Sequence, residues 1–105
     1  IGMGGFVGHH AHIGPMAVIG RASIINTAAI VEHESHVGDY SHISVNSTIA
    51  GRSRIGRFSI TGAGAVVIDG LLIADNVTVG AGAVVAASIE TAGKYVGVPA
   101  RRLDD

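Results

Sequence analysis

Between Ile25 and Gly51 the sequence crowds polar, titratable side chains into a run of regularly spaced aliphatic residues. Three of the chain's six histidines lie there, including His33 and His42, and Glu34 directly follows His33. An imidazole exchanges protons near neutral pH and a carboxylate can orient it, so this pairing suits general acid–base chemistry. A buried strand would exclude such groups, and a flexible loop would not keep the aliphatic spacing. The secondary structure that produces the aliphatic spacing must therefore explain why these polar side chains are concentrated here.

The aliphatic residues recur every six positions from the first residue to position 85. Counted from Ile1, fourteen of these fifteen positions are Ile or Val, and Thr61 is the exception. The residue after each is usually small, and four residues after each there is usually Ala or Ser. A helix would need apolar spacings of three and four. The pattern therefore predicts short β-strands with a bend every six residues, at which small residues let the backbone turn.

Composition limits both the core and the partners. The 105 residues include 16 Gly but only two Phe, two Tyr and no Trp, so the core must consist of thin aliphatic layers. Seven Lys and Arg balance eight Asp and Glu, which gives no general attraction to nucleic acid. Cysteine is absent, which excludes disulfides and thiolate metal sites. The sequence contains no run of about 18 apolar residues, so it predicts no membrane-spanning helix.

The six-residue period resembles that of the hexapeptide-repeat acyltransferases. Their chains wind as a left-handed parallel β-helix with three flat faces, so that three hexapeptides complete one coil. The resemblance covers residues 1–90 and implies an all-β domain of about five coils, followed by a short C-terminal tail at 91–105. Within the tail, "GVPAR" at 97–101 is similar to the Gly-x-Pro-Ala-Lys/Arg signature that follows the last coil in these enzymes. The left-handed winding is implied by the resemblance alone.

The segment "VEHESHVGDYSHISV", residues 31–45, is similar to one branch of that family. This branch contains the sialic acid O-acetyltransferases and the UDP-amino-sugar N-acetyltransferases of the bacillosamine pathway. The resemblance implies that His33 is the general base and that Glu34 hydrogen-bonds it. It also implies that His42 contacts the acetyl end of the coenzyme.

The resemblance places three further positions on the coenzyme through their backbones. The N–H of Gly51 would face the thioester oxygen, while Ala63 and Ala81 would line the pantetheine groove. Ala81 stands where the relatives have glycine, a change that a backbone contact tolerates. Acetyl-CoA is thus the expected co-substrate, attacked directly by the acceptor without a Ser or Cys nucleophile and without a metal. An oxyanion donor of this kind is worth about 3 to 4 kcal/mol in other acyl-transfer sites.

Spacing and resemblance together predict an assembly. With three hexapeptides per coil, Gly51 lies one coil after His33, whereas His42 lies half a coil away. If both histidines serve one site, that site lies between neighbouring subunits, and the resemblance implies a homotrimer. The first residue is Ile, so we interpret the chain as part of a longer, cytoplasmic protein. In this branch a nucleotide-binding domain precedes the β-helix and holds much of the sugar or nucleotide-sugar acceptor; this chain lacks that domain.

Two other functions compete with acetyl transfer. A γ-class carbonic anhydrase uses the same prism with three zinc-binding histidines, but its His-x4-His spacing is absent here. A non-catalytic trimeric scaffold would leave the 31–45 segment unexplained. The cluster of His9, His10 and His12 resembles a metal site. We favour an exposed rim or a contact with a substrate-binding domain, because adjacent turn residues diverge and no acidic residue lies nearby in the sequence. Most arginines are interpreted as ordinary surface charge, and the tail pair at 101 and 102 is best placed for coenzyme phosphates.

Overall fold

The computed structural model describes residues 1–103, which form a parallel β-helix built from sixteen short strands. Three sheets make the three sides of a prism. Sheet A contains β1 (Phe6–Val7), β4 (Ile24–Ile25), β7 (His42–Ile43), β10 (Ile60–Thr61), β13 (Val77–Val79), β15 (Gly93–Val96) and β16 (Arg101–Arg102). Sheet B contains β2 (His12–Ile13), β5 (Ile30–Val31), β8 (Thr48–Ile49), β11 (Val66–Val67) and β14 (Val84–Val85). Sheet C contains β3 (Val18–Ile19), β6 (His36–Val37), β9 (Arg54–Ile55) and β12 (Leu72–Ile73).

The chain visits the sheets in the order A, B, C, and each visit advances it by six residues. Parallel partners are therefore three hexapeptides apart, as in Ile25 with Ile43 and Val31 with Ile49. This register confirms the predicted all-β fold and its coils of three hexapeptides. The turns that join the sheets form three edges, which we call the A–B, B–C and C–A corners. The B–C corner lies opposite sheet A across a prism about 20 Å wide, since its extents are 35 × 21 × 19 Å.

The residues at the six-residue period point into the prism and stack coil on coil. Ile25, Ile43 and Ile49 are completely buried, and so are Val31 and Val67. Thr61, the exception in the repeat, is also buried, and its hydroxyl accepts a hydrogen bond from the Ser47 hydroxyl at 2.9 Å. Satisfying that hydroxyl lets a polar residue replace an aliphatic one in the column.

The small residues four positions after each column residue form a second interior layer, and its serines tie successive coils together. The Ser41 hydroxyl donates to the Gly56 carbonyl at 2.7 Å and accepts the Ser59 N–H at 3.1 Å. Ser35 does the same at the B–C corner, with the Ala50 carbonyl at 2.7 Å and the Ser53 N–H at 3.1 Å. Each such serine satisfies two turn groups of the next coil and so fixes one turn above another.

Glycine at the corners has a different role from the predicted one of letting the backbone turn. The left-handed conformation recurs every six residues, but ten of these positions carry a side chain, including Glu34 at φ 60° and Arg52 at φ 57°. Glycine instead clusters directly after the aliphatic column. A Cβ on Gly38 or Gly62 would lie 2.6 Å from backbone atoms of the following coil. Close packing between coils, not the turn itself, requires glycine there.

The last coil is shorter than the others. Ile73 pairs with Ile89 and Val79 with Tyr95, so the spacing between these partners is two residues less than three hexapeptides. Ile89 is buried and extends the core although it lies outside the six-residue repeat. The chain then forms the antiparallel pair β15 and β16, with a cis peptide bond before Pro99. Within the described range no helix is found that could cross a membrane.

Candidate active site

His33 lies at the B–C corner, in the turn between β5 and β6. Its Nδ1 is 3.2 Å from Oε1 of Glu34. A carboxylate accepts hydrogen bonds and cannot donate one, so the Nδ1–H of the neutral ring donates to Glu34 and leaves the lone pair on Nε2. The imidazole is 41% exposed, which leaves it open to a ligand. The predicted contact is present, and it orients His33 as a base would need to be oriented.

Gly51 supports the His33 ring from the next coil. A Cβ built on Gly51 would lie 2.5 Å from Nε2 of His33 and 2.7 Å from Cε1. The ring therefore occupies the space that any side chain at position 51 would need. Two hydrogen bonds hold the two turns in this arrangement. The Arg52 N–H donates to the His33 carbonyl at 3.0 Å, and the Ser35 hydroxyl donates to the Ala50 carbonyl at 2.7 Å.

Arg52 completes the B–C cluster, although the sequence analysis left it as ordinary surface charge. One terminal guanidinium nitrogen is 3.2 Å from Oε1 of Glu34, the oxygen that also accepts from His33. The spacing of one coil between Glu34 and Arg52 is the signal that would have found it. Glu32, on the same turn as His33, contacts Nε2 of His12 at 3.4 Å. His12 therefore points toward this corner and not into a cluster with His9 and His10.

His42 lies elsewhere on the prism, on the outer side of sheet A next to the A–B corner. Its Nε2 is 3.1 Å from Nδ2 of Asn26, whose Oδ1 accepts the Thr27 N–H at 2.7 Å. Because an amide nitrogen only donates, Nε2 of His42 accepts and the ring proton must be on Nδ1. His42 thus offers an N–H donor to a ligand. The sequence analysis did not predict the role of Asn26, which fixes that tautomer.

Ala63 and Ala81 lie one coil apart at the A–B corner, below His42. Each stands between two glycines, in the sequences 62–64 and 80–82. Both alanines are exposed, and a Cβ on the neighbouring Gly64 or Gly82 would meet no atom within 4 Å. Their backbone N–H groups donate no hydrogen bond within residues 1–103, and the same holds for Gly51. This corner therefore presents a surface without bulky side chains, on which backbone N–H groups are available to a ligand.

The structure brings the predicted residues together as two half-sites and not as one. The first half-site, at the B–C corner, contains His33, Glu34 and Gly51. The second, at the A–B corner, contains His42 and the two alanines. Since the B–C corner is opposite sheet A, one chain cannot close a single site around both histidines.

A groove with a volume of about 600 Å³ lies on the outer side of sheet C. Its floor is aliphatic, and polar groups reach it from His36, Arg54 and Glu90. It begins beside the first half-site because His36 starts the strand that follows the His33 turn. Among the described residues, no group of three or more His, Asp or Glu side chains could hold a metal ion within one chain.

The fold and the repeat define a left-handed β-helix of the acetyltransferase type. No protein-family model matches the sequence, and no match is found among curated proteins. Similar proteins are found among the solved structures. The acetyltransferase domain of PglB from Neisseria gonorrhoeae is 32% identical over 94% of this chain and 54% of its own length, with a TM-score of 0.78.

Two further structures extend this result. A histidine-to-alanine mutant of GDP-perosamine N-acetyltransferase from Caulobacter crescentus is 31% identical over 97% of this chain and 51% of its own, with a TM-score of 0.90. The N-acyltransferase AntD from Bacillus cereus shares the fold alone, at 18% identity over 92% of this chain and 67% of its own, with a TM-score of 0.85. The chain spans about half the length of the first two structures. These similarities confirm the predicted β-helix fold, including its hand.

Gly51→Ala should lower turnover by about tenfold or more without unfolding the protein. The added methyl group would push the His33 ring from its position. A small displacement is costly for a side chain in the general-base role that the resemblance implies. Gly51 has no left-handed φ and the atoms it would meet belong to a side chain, so the backbone tolerates alanine. Steady-state kinetics and thermal unfolding would measure the two effects.

Two comparisons make this test specific. In a His33→Ala background, Gly51→Ala should cause no further loss of turnover. Gly62→Ala should instead destabilise the fold, because its Cβ would meet the Ala81 backbone nitrogen at 2.6 Å. Full activity of Gly51→Ala would contradict the assigned role of the stacking.

Proposed function

We propose that this chain is the β-helix portion of an acetyl-CoA-dependent acetyltransferase that acts on an amino group of a nucleotide-linked sugar. The observation that carries the proposal is the His33–Glu34 pair stacked on Gly51. It combines a base with a free Nε2, a carboxylate that fixes its tautomer and a backbone N–H without a partner among residues 1–103. Direct acyl transfer needs these groups and no covalent intermediate.

The reaction proceeds by direct attack. The acceptor nitrogen forms a bond to the thioester carbonyl carbon while Nε2 of His33 takes its proton. The N–H of Gly51 stabilises the oxyanion of the tetrahedral intermediate. The C–S bond then breaks, and the coenzyme thiolate receives the proton from His33. Glu34 holds the imidazole throughout and stabilises its protonated form.

Sheet B supports an assembly that joins the two half-sites. After His12 in its first strand, the outer residues of sheet B are uncharged, namely Ile30, Thr48, Val66 and Val84. Sheet A carries His42 and Lys94 on its outer side, and sheet C carries His36 and Arg54. Sheet B also separates the A–B corner from the B–C corner. A homotrimer with sheet B facing its three-fold axis would place the first half-site of each subunit beside the second half-site of a neighbour. The active site is then a cleft between subunits.

The coenzyme follows the A–B corner in this arrangement. Pantetheine amides can hydrogen-bond the exposed backbone at Ala63 and Ala81, where no side chain larger than methyl obstructs them. The Nδ1–H of His42 is available to the carbonyl groups near the thioester. In support, the PglB domain was solved with acetyl coenzyme A, and the perosamine enzyme with CoA and GDP-perosamine.

The sugar class rests on these relatives. GDP-perosamine is a nucleotide-linked amino sugar, which favours transfer to nitrogen. Transfer to a hydroxyl of a sialic-acid-type sugar would use the same base and is the second candidate. Assays with both acceptor types would decide between them.

Calorimetry with acetyl-CoA should give about one bound coenzyme per chain. Ala81→Trp should weaken this binding at least tenfold, because the indole would occupy the surface of the A–B corner along which the coenzyme binds. His33→Ala is the matched control and should leave binding nearly unchanged, since its role is proton transfer. No binding of acetyl-CoA by the folded protein would contradict the proposal and favour the scaffold function.

Mixing two impaired variants, at an acetyl-CoA concentration too low to saturate Ala81→Trp, tests the intersubunit cleft. His33→Ala damages only the first half-site, and Ala81→Trp damages only the second. Trimers reassembled from both variants should regain activity, because some clefts then contain two intact halves. Light scattering should show a trimer. An active monomer, or no recovery from verified mixed trimers, would contradict the shared site.

A further inference from the structure

We propose that Arg52 is a positioning residue that acts on His33 through Glu34. Arg52 fixes the carboxylate that holds His33 in the tautomer with a free Nε2. The inference rests on the proposed role of His33 as the base.

The geometry shows one oxygen shared by two donors. Oε1 of Glu34 lies 3.2 Å from Nδ1 of His33 and 3.2 Å from a guanidinium nitrogen of Arg52. Glu34 and Arg52 occupy equivalent left-handed turn positions one coil apart, and the Ser35 bonds hold those turns in register. Because the two donors share this oxygen, the carboxylate cannot turn away without losing both partners.

Comparison with the C–A corner separates this contact from an ordinary ion pair. There Arg21 contacts Asp39 at 3.4 Å and Arg57 contacts Asp75 at 3.5 Å, also one coil apart. In these two pairs the aspartate accepts the backbone N–H of its arginine partner, and no histidine takes part. Exposed ion pairs contribute little to folding. Among residues 1–103, only the arginine at the B–C corner shares its carboxylate with an imidazole.

The charges around His33 make Arg52 its nearest cation among the described residues. Glu32 and Glu34 lie on its own turn, and Glu32 is engaged by His12. The preceding turn presents Pro15 and Met16, which carry no charge, and Asp69 lies two coils further on. Among the described side chains, Arg52 is therefore the cation in contact with the carboxylate oxygen that His33 uses.

The test compares Arg52→Ala and Arg52→Lys with the matched control Arg57→Ala. Arg52→Ala should reduce kcat about fivefold, less than loss of the base itself, with the KM for acetyl-CoA unchanged. Arg52→Lys should retain most of kcat, because an ammonium group at this position can still donate to Glu34. Arg57→Ala should change neither quantity.

Two further measurements show whether Arg52 works through Glu34. In a Glu34→Gln background, Arg52→Ala should lose most of its effect on kcat; an equal loss in both backgrounds overturns the positioning role. Nitrogen-15 NMR of His33 reports the tautomer directly, and Arg52→Ala should increase the minor form with the proton on Nε2. Unchanged tautomer populations in Arg52→Ala overturn the proposal.

The NMR measurement needs no acceptor, so it separates this proposal from the proposed function. A shift of the tautomer in Arg52→Ala, with no shift in Arg57→Ala, supports the positioning role whatever the reaction is. Full transfer activity of His33→Ala would overturn the base assignment and leave that NMR result standing.

Discussion

Replacing His33 by alanine is expected to lower the turnover number for acetyl transfer by about 100-fold or more. General-base catalysis typically contributes 10² to 10⁴. Among residues 1–103, Nε2 is the imidazole atom that the structure holds against Gly51, and no second histidine lies on that turn to replace it. The affinity for acetyl-CoA should change little, so the loss should appear in kcat.

Glu34→Ala should cause a smaller loss of turnover than His33→Ala, because Glu34 orients the base and does not itself take the proton. Wild-type turnover by His33→Ala between pH 6 and 9, with a verified acceptor, would show that the base lies elsewhere.

Replacing Ile43 by alanine is expected to destabilise the fold by about 2 to 5 kcal/mol. Its side chain is fully buried in the middle of the column, between Ile25 and Thr61. The neighbouring coils are fixed by backbone bonds and cannot collapse into the space, so a cavity remains. Urea unfolding at a fixed protein concentration would measure the loss, since assembly couples to stability.

Leu72→Ala is the matched control for this truncation. Leu72 also lies on a strand, but its side chain points outward and is 56% exposed, so its loss should cost less than about 1 kcal/mol. A cost below about 0.5 kcal/mol for Ile43→Ala would contradict the interior assignment and the register built on it.

The sequence was enough to predict the fold because one six-residue period determines both strand spacing and core. Thr61, although polar, is buried at the position that the period predicts. The shortened last coil was not predictable, because Ile89 is buried outside the period, where the tail and not the repeat decides the packing. The role of small residues at the corners was predicted wrongly. Steric contact between coils is a tertiary property, and only the coordinates show that Gly38 avoids a clash while Glu34 adopts the left-handed turn.

The candidate site was predictable only in part for a related reason. The pairing of His33 with Glu34 and its stacking on Gly51 follow from adjacent residues and from a spacing of one coil. Arg52 and Asn26 were missed. Counting places Arg52 one coil after Glu34, but the contact of Asn26 with His42 depends on side-chain directions that the turn conformation sets. That His42 lies on a different side of the prism could be predicted by counting, whereas its tautomer required the contact with Asn26.

The most direct test of this account is acetyl transfer from acetyl-CoA to nucleotide-linked amino sugars, with the products identified by mass spectrometry. The full-length protein should be used, with His33→Ala as the negative control. We predict an N-acetylated sugar nucleotide with the wild type and at least about 100-fold less with the variant. A folded protein that neither binds acetyl-CoA nor acetylates any amino or hydroxyl acceptor would contradict the central claim.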